Sequence, residues 1–476
     1  MSSNRRQNAS PDGRAFDLNI ETILENWETY HAVREVIANA IDEEMLSGTK
    51  PIRIYKDNGV WHIRDHGRGL RYEHLTQKEN EEKLKDPRVI GKFGIGLKDA
   101  LATFDRRKVK VIIQSRHGGI TIRKSEKHGF SDLTTLHAYV EPPFDSSFVG
   151  TQFVLAGCLD EDIEKAKDLF LRFSGERAVE ETKDGQVLDK RESTARIYVN
   201  GVKVAEEENF LFSYNITFLN KAIKRALNRE RTNIGRTAYT DRVKSILLGS
   251  ETRDVADALV ADLKGFEAGT LHDELKWTDV SVHACKILNS KEKVVFFTPS
   301  ELVTAPGVVD HARGDGYRIV TVPDTIRDKI RGTTDVAGEP IRDLGEFQHQ
   351  WNQSFEFKFV TEKDLTANER RVFQATDAIL SLAGGRPKHV KTIQISETMR
   401  IDPNSFREAE GLWEGGAGRV VIKRTALKSI DSYAGTLVHE VGHARTGAPD
   451  ISDEFEQELT RLIGTIASNS IGERTK

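Results

Sequence analysis

Glu35-Val36-Ile37-Ala38-Asn39-Ala40-Ile41-Asp42 is the stretch on which the reading of the fold turns. It lies within a longer helical pattern, Glu21 to Leu46, where Tyr30, Val33, Ile37 and Ile41 recur at helical spacing. Glu35, Asn39 and Asp42 sit at i, i+4 and i+7, so three polar side chains share a stripe while Val33, Val36, Ile37 and Ala40 face roughly the opposite way. A solvated surface helix is built the same way, so the stripe gains meaning only from its neighbours. Next comes a hairpin: Ile52 and Ile54, then Val60, Trp61 and Ile63, flank Asn58-Gly59, a pair suited to left-handed turn dihedrals. Further strands are expected at Val109 to Ser115, Ile120 to Arg123, Thr134 to Val140 and Gln152 to Leu155. Helices first and strands later predict a two-layer α+β sandwich.

Beyond it the pattern predicts three more units. A hairpin around Asn200-Gly201 and a basic helical stretch, Lys221 to Leu248, read as a small α+β unit. Val294 to Phe297, a helical stretch after Pro306, and Tyr317 to Val322 read as βαβ. The last unit holds a helix over Leu365 to Leu382, strands at Val390 to Ile395 and Val420 to Lys423, and two C-terminal helices. The expected domains are 16–180, 181–265, 270–345 and 350–476, all of α+β class.

Two glycine-bearing segments accompany the first helix. Asp65-His66-Gly67-Arg68-Gly69 follows directly on a strand, and Gly91-Lys92-Phe93-Gly94-Ile95-Gly96 opens an apolar helix-like stretch. Gly91, Gly94 and Gly96 would let backbone N–H groups approach phosphates at a helix N-terminus. A carboxylate such as Glu35 can act as a base, and the amide oxygen of Asn39 is a hard ligand suited to Mg²⁺.

In this order the segments resemble the motifs of the GHKL ATPase superfamily, which includes gyrase B subunits, heat-shock chaperones, sensor histidine kinases and MutL proteins. Gly150-Thr151, leading into a strand, matches the fourth motif, and the resemblance covers roughly residues 16 to 160. It implies a Bergerat-type sandwich binding ATP. Asn39 would hold Mg²⁺, Asp65 would accept the adenine amino group, and Glu35 would deprotonate the attacking water. Asp42, Gly67, Gly69, Gly91, Gly94, Gly96 and Thr151 complete the expected nucleotide site. Histidine kinases often lack the base, so Glu35 favours hydrolysis. The segment from Gly69 to Gly91 has the place of a lid, and residues 181–265 that of a transducer, with Lys221, Lys224, Arg229 and Arg231 open as γ-phosphate sensors. The superfamily also implies a nucleotide-dependent homodimer.

A second chemistry lies near the other end. In His439-Glu440-Val441-Gly442-His443 two imidazoles fall one helical turn apart on one face, the spacing a Zn²⁺ ion needs from a single helix. Glu440 is the expected base. Arg419 to Lys423 reads as an edge strand beside a substrate groove. The layout, over residues 355 to 470, resembles zinc metallopeptidases of the gluzincin type, which implies a third ligand from a following helix. Glu456 is the first choice, Glu458 the alternative, and Asp450 a third option because some zincins use aspartate.

Charge and composition narrow the partners. Lys and Arg total 70 against 74 Asp and Glu, a formal charge of -4, so no global field implies nucleic acid, though room for a local basic patch remains. The two cysteines, Cys158 and Cys285, form no C-x-x-C pair, which points to a reducing compartment, hence the cytoplasm. Met1 to Gly13 is polar, and no apolar run is long enough to span a bilayer. The leading expectation is an ATPase whose nucleotide state gates a zinc peptidase-like domain acting on protein or peptide, in a stress or phage-defence setting. The alternative is an ATP-driven chaperone or scaffold clamp with a non-proteolytic C-terminal domain. A phosphoacceptor histidine at His439 is disfavoured because it lies behind the ATP motifs and lacks the usual following proline.

Overall fold

The computed structural model describes residues 14–18, 26–76, 86, 89–90, 96–127, 130–227, 234–266, 268–402 and 405–474. The chain is α+β, with four sheets of seven, five, two and four strands. It divides into two compact units: Met1–Asp262 with Thr270–His283, and Leu263–Gly269 with Ala284–Lys476.

In the first unit, α1 (Thr29–Ser47) starts where Glu28 and His31 cap one another and ends at Gly48, whose φ of 62° turns the chain out of the helix. Of the longer helix expected from Glu21, residues 21–25 lie outside the described residues. Its strands are β1 (Arg14–Asp17), β2 (Arg53–Asp57), β3 (Val60–Arg64), β4 (Lys110–Ser115), β5 (Gly118–Lys127), β6 (Phe130–Glu141) and β7 (Thr151–Ala156). They lie in the order β1-β6-β5-β4-β7-β3-β2. Asn58 and Gly59, at φ 46° and 80°, form the expected turn between β2 and β3. The register sets Ile54, Ile63, Phe153, Ile113 and Ile120 in one row across the sheet. Most of that row joins Val33, Val36 and Ile37 of α1 and Ala100, Leu101 and Phe104 of α2 (Gly96–Arg106) in one core. The sandwich thus buries one sheet face under helices, with Ile163 and Ala166 of a further helix, Asp160–Asp168, in the same core.

The same unit carries a five-stranded sheet, β8 (Ala178–Thr182), β9 (Gly185–Leu188), β10 (Ala195–Val199), β11 (Val202–Glu207) and β12 (Ser213–Ile216), in the order β11-β10-β12-β9-β8. Only the β10–β11 hairpin was legible in the pattern; β8, β9 and β12 are short and carry buried polar residues such as Glu180, Ser213 and Asn215. The basic stretch forms two helices, α3 (Lys221–Ala226) and α4 (Arg236–Leu248), rather than one. Arg229 and Arg231 lie outside the described residues.

In the second unit β13 (Val294–Phe297) and β14 (Arg318–Thr321) pair in parallel across α5 (Pro299–Thr304) and α6 (Pro306–Gly314), the expected βαβ arrangement. The remaining sheet is β15 (Phe359–Val360), β16 (Thr392–Ser396), β17 (Gly411–Glu414) and β18 (Arg419–Lys423), in the order β15-β16-β18-β17. This corrects one expectation. Arg419–Lys423 is an interior strand, with Val420, Val421 and Ile422 fully buried, and the edge belongs to β17, which the alternation did not reveal. The helix expected over Leu365 to Leu382 is broken into α7 (Ala367–Gln374) and α8 (Thr376–Leu382), where the Thr376 hydroxyl turns to the Phe373 carbonyl and Tyr433. The chain closes with α9 (Ile430–Thr446) and α10 (Asp453–Arg474). Among the described residues no helix is long and apolar enough to cross a membrane.

Candidate metal centre and nucleotide site

Helix α9 presents His439 and His443 side by side, as their spacing requires. Gly447, at φ 71°, ends the helix, and the chain doubles back so that Asp450 meets both imidazoles. Nε2 of His439 lies 2.8 Å from Asp450 Oδ1. Nε2 of His443 lies 2.9 Å from the same oxygen and 3.1 Å from His439 Nε2. Among the described residues this is the cluster of His, Cys, Asp and Glu side chains able to hold a metal ion. Three ligands at about 2.0–2.1 Å from Zn²⁺ would stand about 3.3 Å apart, close to this triangle. The donor set, two imidazoles and a carboxylate, suits zinc. His443 Nδ1 is 2.9 Å from the Ala448 carbonyl, which can only accept, so the ring proton sits on Nδ1 and Nε2 turns a lone pair to the centre. Phe455 stacks flat on His443, with ring centroids 4.0 Å apart, and meets His439 edge-on.

The carboxylate beside the two histidines is that of Asp450, not of Glu456 or Glu458. Phe455 takes the face of α10 that packs against the imidazoles, so Glu456, one residue on and about 100° round the helix, is exposed and outside the cluster. Glu458 is held instead by Arg445 and Arg461, at 3.4 and 2.6 Å. Asp450, placed last on sequence grounds, is the residue the fold brings to the histidines.

Glu440 is 5% exposed. Burial pushes its carboxyl up to about 7; Asp450 adds to the rise, while His443 and the Trp413 amide oppose it. It lies against β17 so closely that a Cβ at Gly411 would meet Glu440 Oε1 at 2.6 Å, which is why that position has no side chain. Glu440, the ligand triad and β17 line a cleft of about 1280 Å³.

In the first unit, the polar stripe of α1 is not solvated: Glu35 is 4% and Asp42 1% exposed. The Arg34 guanidinium, lying over Trp27, pairs with Glu35 Oε1 at 2.9 Å. Glu35 Oε2 faces Gly96, where a Cβ would stand 2.3 Å away, so the third glycine and the expected base are in contact. Asp42 Oδ1 accepts the Ile90 amide at 2.7 Å, tying α1 to the chain ahead of the glycine segment. The Asn39 side-chain amide donates to the Glu35 carbonyl at 2.9 Å. Gly91 and Gly94 lie outside the described residues.

Asp65 is 5% exposed, and its Oδ1 accepts from the amides of Gly67 and Thr151 at 2.9 and 3.1 Å. Burial raises its carboxyl above the usual range against those hydrogen bonds. The Thr151 hydroxyl accepts from the Leu70 amide at 2.9 Å, and any Cβ at Gly150 would strike the Asp65 carbonyl at 2.2 Å. Asp65, Gly67, Gly69 and Thr151 therefore form one knot at the ends of β3 and β7. Glu43, which the sequence reading passed over, bonds the Arg68 amide and side chain and blocks any side chain at Gly67.

The family described as the Mycoplasma pneumoniae MPN635 N-terminal domain matches residues 161–253, which span the five-stranded sheet and α4. A protein of Mycoplasma pneumoniae is 40% identical over 242 residues, covering 50% of this chain and 98% of its own length. A second from the same organism is 24% identical over 345 residues, covering 67% of this chain and 96% of its own. Both carry the description "Uncharacterized protein".

Proposed function

The chain belongs to the family of the 40%-identical Mycoplasma pneumoniae protein, and we propose that it is a zinc-dependent peptidase whose N-terminal unit binds and hydrolyses ATP with Mg²⁺. The observation that carries the peptidase reading is the triangle of His439, His443 and Asp450 ligand atoms, 2.8 to 3.1 Å on each side, with Glu440 on the same helix. Zinc, when bound, supplies Lewis acidity. His443 is fixed in its ligating tautomer by the Ala448 carbonyl, and Asp450 offsets the charge of the cation. Glu440, raised to about 7 by burial, takes a proton from the attacking water and returns it to the departing amine. The edge of β17 lines the same cleft and suits an extended peptide backbone.

The nucleotide reading rests on the resemblance to the GHKL superfamily and is supported by the burial of Glu35 and Asp65 beside glycines that admit no Cβ. Its role is to gate cleavage, and the chain works in the cytoplasm, where the free, buried Cys158 and Cys285 stay reduced. The test is metal analysis of protein purified without chelator, with cleavage of an unstructured protein such as casein followed with and without ATP. One zinc per chain and ATP-dependent cleavage are expected. Absence of metal sinks the peptidase, and a cleavage rate indifferent to ATP sinks the gating.

A further inference from the structure

The face of the seven-stranded sheet turned away from α1 and α2 carries a feature that neither site uses. In the β2–β3 hairpin Arg53 pairs directly with Arg64, and Tyr55 with His62. Like charges set opposite one another on adjacent strands destabilise a sheet, and no described carboxylate pairs with either arginine. Elsewhere the molecule does the reverse: Arg196 lies on Asp168 and Glu192, and Arg424 on Glu369 and Glu397. Lys50, just before β2, is exposed and likewise has no described ion pair. The Nε of Arg64 is buried with no hydrogen-bond partner. The neighbouring His66 reports the field, since its pKa is lowered first by burial and then by Arg64, Lys50 and Arg53.

Flat rings stand beside these cations. Tyr55 and His62 stack with centroids 4.9 Å apart and planes within 7°. Gln152 braces the pair, accepting from the Tyr55 hydroxyl at 3.3 Å and lying 3.2 Å from His62 Nδ1. Arg53 lies over the Tyr55 ring at 5.1 Å, and Arg64 over Phe148 at 4.4 Å. Unpaired cations interleaved with braced aromatic faces are what a single strand of nucleic acid needs: a charged track for phosphates and platforms for bases.

We propose that this sheet face binds single-stranded nucleic acid, with Lys50, Arg53 and Arg64 on the phosphates and the Tyr55–His62 pair and Phe148 stacking against bases. The chain's formal charge of -4 conceals the patch, because it is local. None of Lys50, Arg53, Tyr55, His62, Arg64 and Phe148 is a residue of either proposed site, so failure of those readings leaves this one standing.

The experiment is fluorescence anisotropy of the full chain with a labelled thymidine oligonucleotide of about 20 residues, long enough to cover one such platform, titrated over a range of salt. Binding is expected at low salt. Arg53→Ala with Arg64→Ala should weaken it about tenfold or more and flatten the dependence of log K on log salt by about 1.4, since each lost phosphate contact removes about 0.7. Arg53→Lys with Arg64→Lys should keep that slope, and Tyr55→Ala should weaken binding about tenfold with the slope unchanged. The alanine pair should melt no lower than wild type, because an unfavourable juxtaposition has been removed. Three results would each overturn the proposal: no binding by wild type, equal binding by the alanine pair, or displacement of the oligonucleotide by ATP with Mg²⁺. Binding of phosphatidylglycerol vesicles in place of the oligonucleotide would also overturn it, assigning the face to a membrane.

Discussion

The proposed metal centre would be assembled from the short stretch between His439 and Asp450, whereas the proposed nucleotide site would gather Glu35 from α1, Asp65 from the end of β3, Thr151 from β7 and Gly96 from the start of α2. Both set a buried glutamate beside a glycine that leaves no room for a side chain, Gly411 against Glu440 and Gly96 against Glu35. They differ in how the glutamate is compensated. Glu35 has an ion-pair partner, Arg34, within the helix. Glu440 has no described ion pair; the Trp413 amide bonds it, and burial raises its pKa. A local site can be complete inside one helix and one loop; a dispersed one depends on the whole sandwich for its geometry.

The contrast can be broken most sharply at Glu440. Glu440→Gln should retain zinc and ATP turnover while peptide cleavage falls by about 10²–10⁴-fold, the contribution typical of a positioned acid–base group. Cleavage kinetics alongside metal analysis read this directly, and a variant still cleaving at half the wild-type rate would remove Glu440 from the chemistry. Next in size is the ligand exchange argued above. Asp450→Ala should lower zinc affinity about 100-fold or more, since a ligand is lost where even an outer partner is worth 10–100-fold. Glu456→Ala should leave it unchanged. Competition against a chromogenic chelator separates the two, and the opposite ranking would restore the gluzincin-like ligand set.

In the dispersed site the effects should be smaller. Asp65→Asn should weaken ATP binding about 10–100-fold, the worth of one or two hydrogen bonds to a charged group, and calorimetry showing wild-type affinity would remove Asp65 from the nucleotide contact. Gly96→Ala is a harsher test of geometry. Its Cβ would stand 2.3 Å from Glu35 Oε2, so the variant should lose both stability and ATP turnover.

How much of this was legible depended on how local each feature is. The His439 and His443 pair and the Glu35 stripe are patterns within single helices, and each falls on one helix, α9 and α1. Which carboxylate meets the histidines was not legible, because it depends on where Gly447 turns the chain and on Phe455 occupying the inner face of α10. No spacing rule encodes either. The edge strand was missed for a related reason: β17 contains Gly411, a poor strand residue, whose presence is explained only by the Glu440 carboxylate behind it. The bond from the Ile90 amide to Asp42 was equally invisible, because it joins residues 48 apart in sequence.

The smallest expected effect separates the units by their response to acid. In the second unit Glu369 pairs with Arg424, whose hydrogen bonds hold its carboxyl down at about 2. A depressed carboxyl contributes stability that is fully present above its unfolded value, near 4.3, and is lost as pH falls through 2. In the first unit Glu274 is 0% exposed, and burial raises its pKa although the Leu211 and Phe212 amides and the Tyr214 hydroxyl bond one of its oxygens. A raised carboxyl acts the other way: its contribution is full below the unfolded value and is lost as pH rises through the folded one. Urea denaturation between pH 3 and 7 should therefore show opposite slopes. The stability lost in Glu369→Gln should be greatest at pH 7, about 0.2–1 kcal/mol as for other solvent-screened ion pairs, and should shrink toward acid. The difference between wild type and Glu274→Gln should instead move against wild type as pH rises. Two slopes of the same sign would mean that the Glu274 carboxyl is not desolvated as its burial requires.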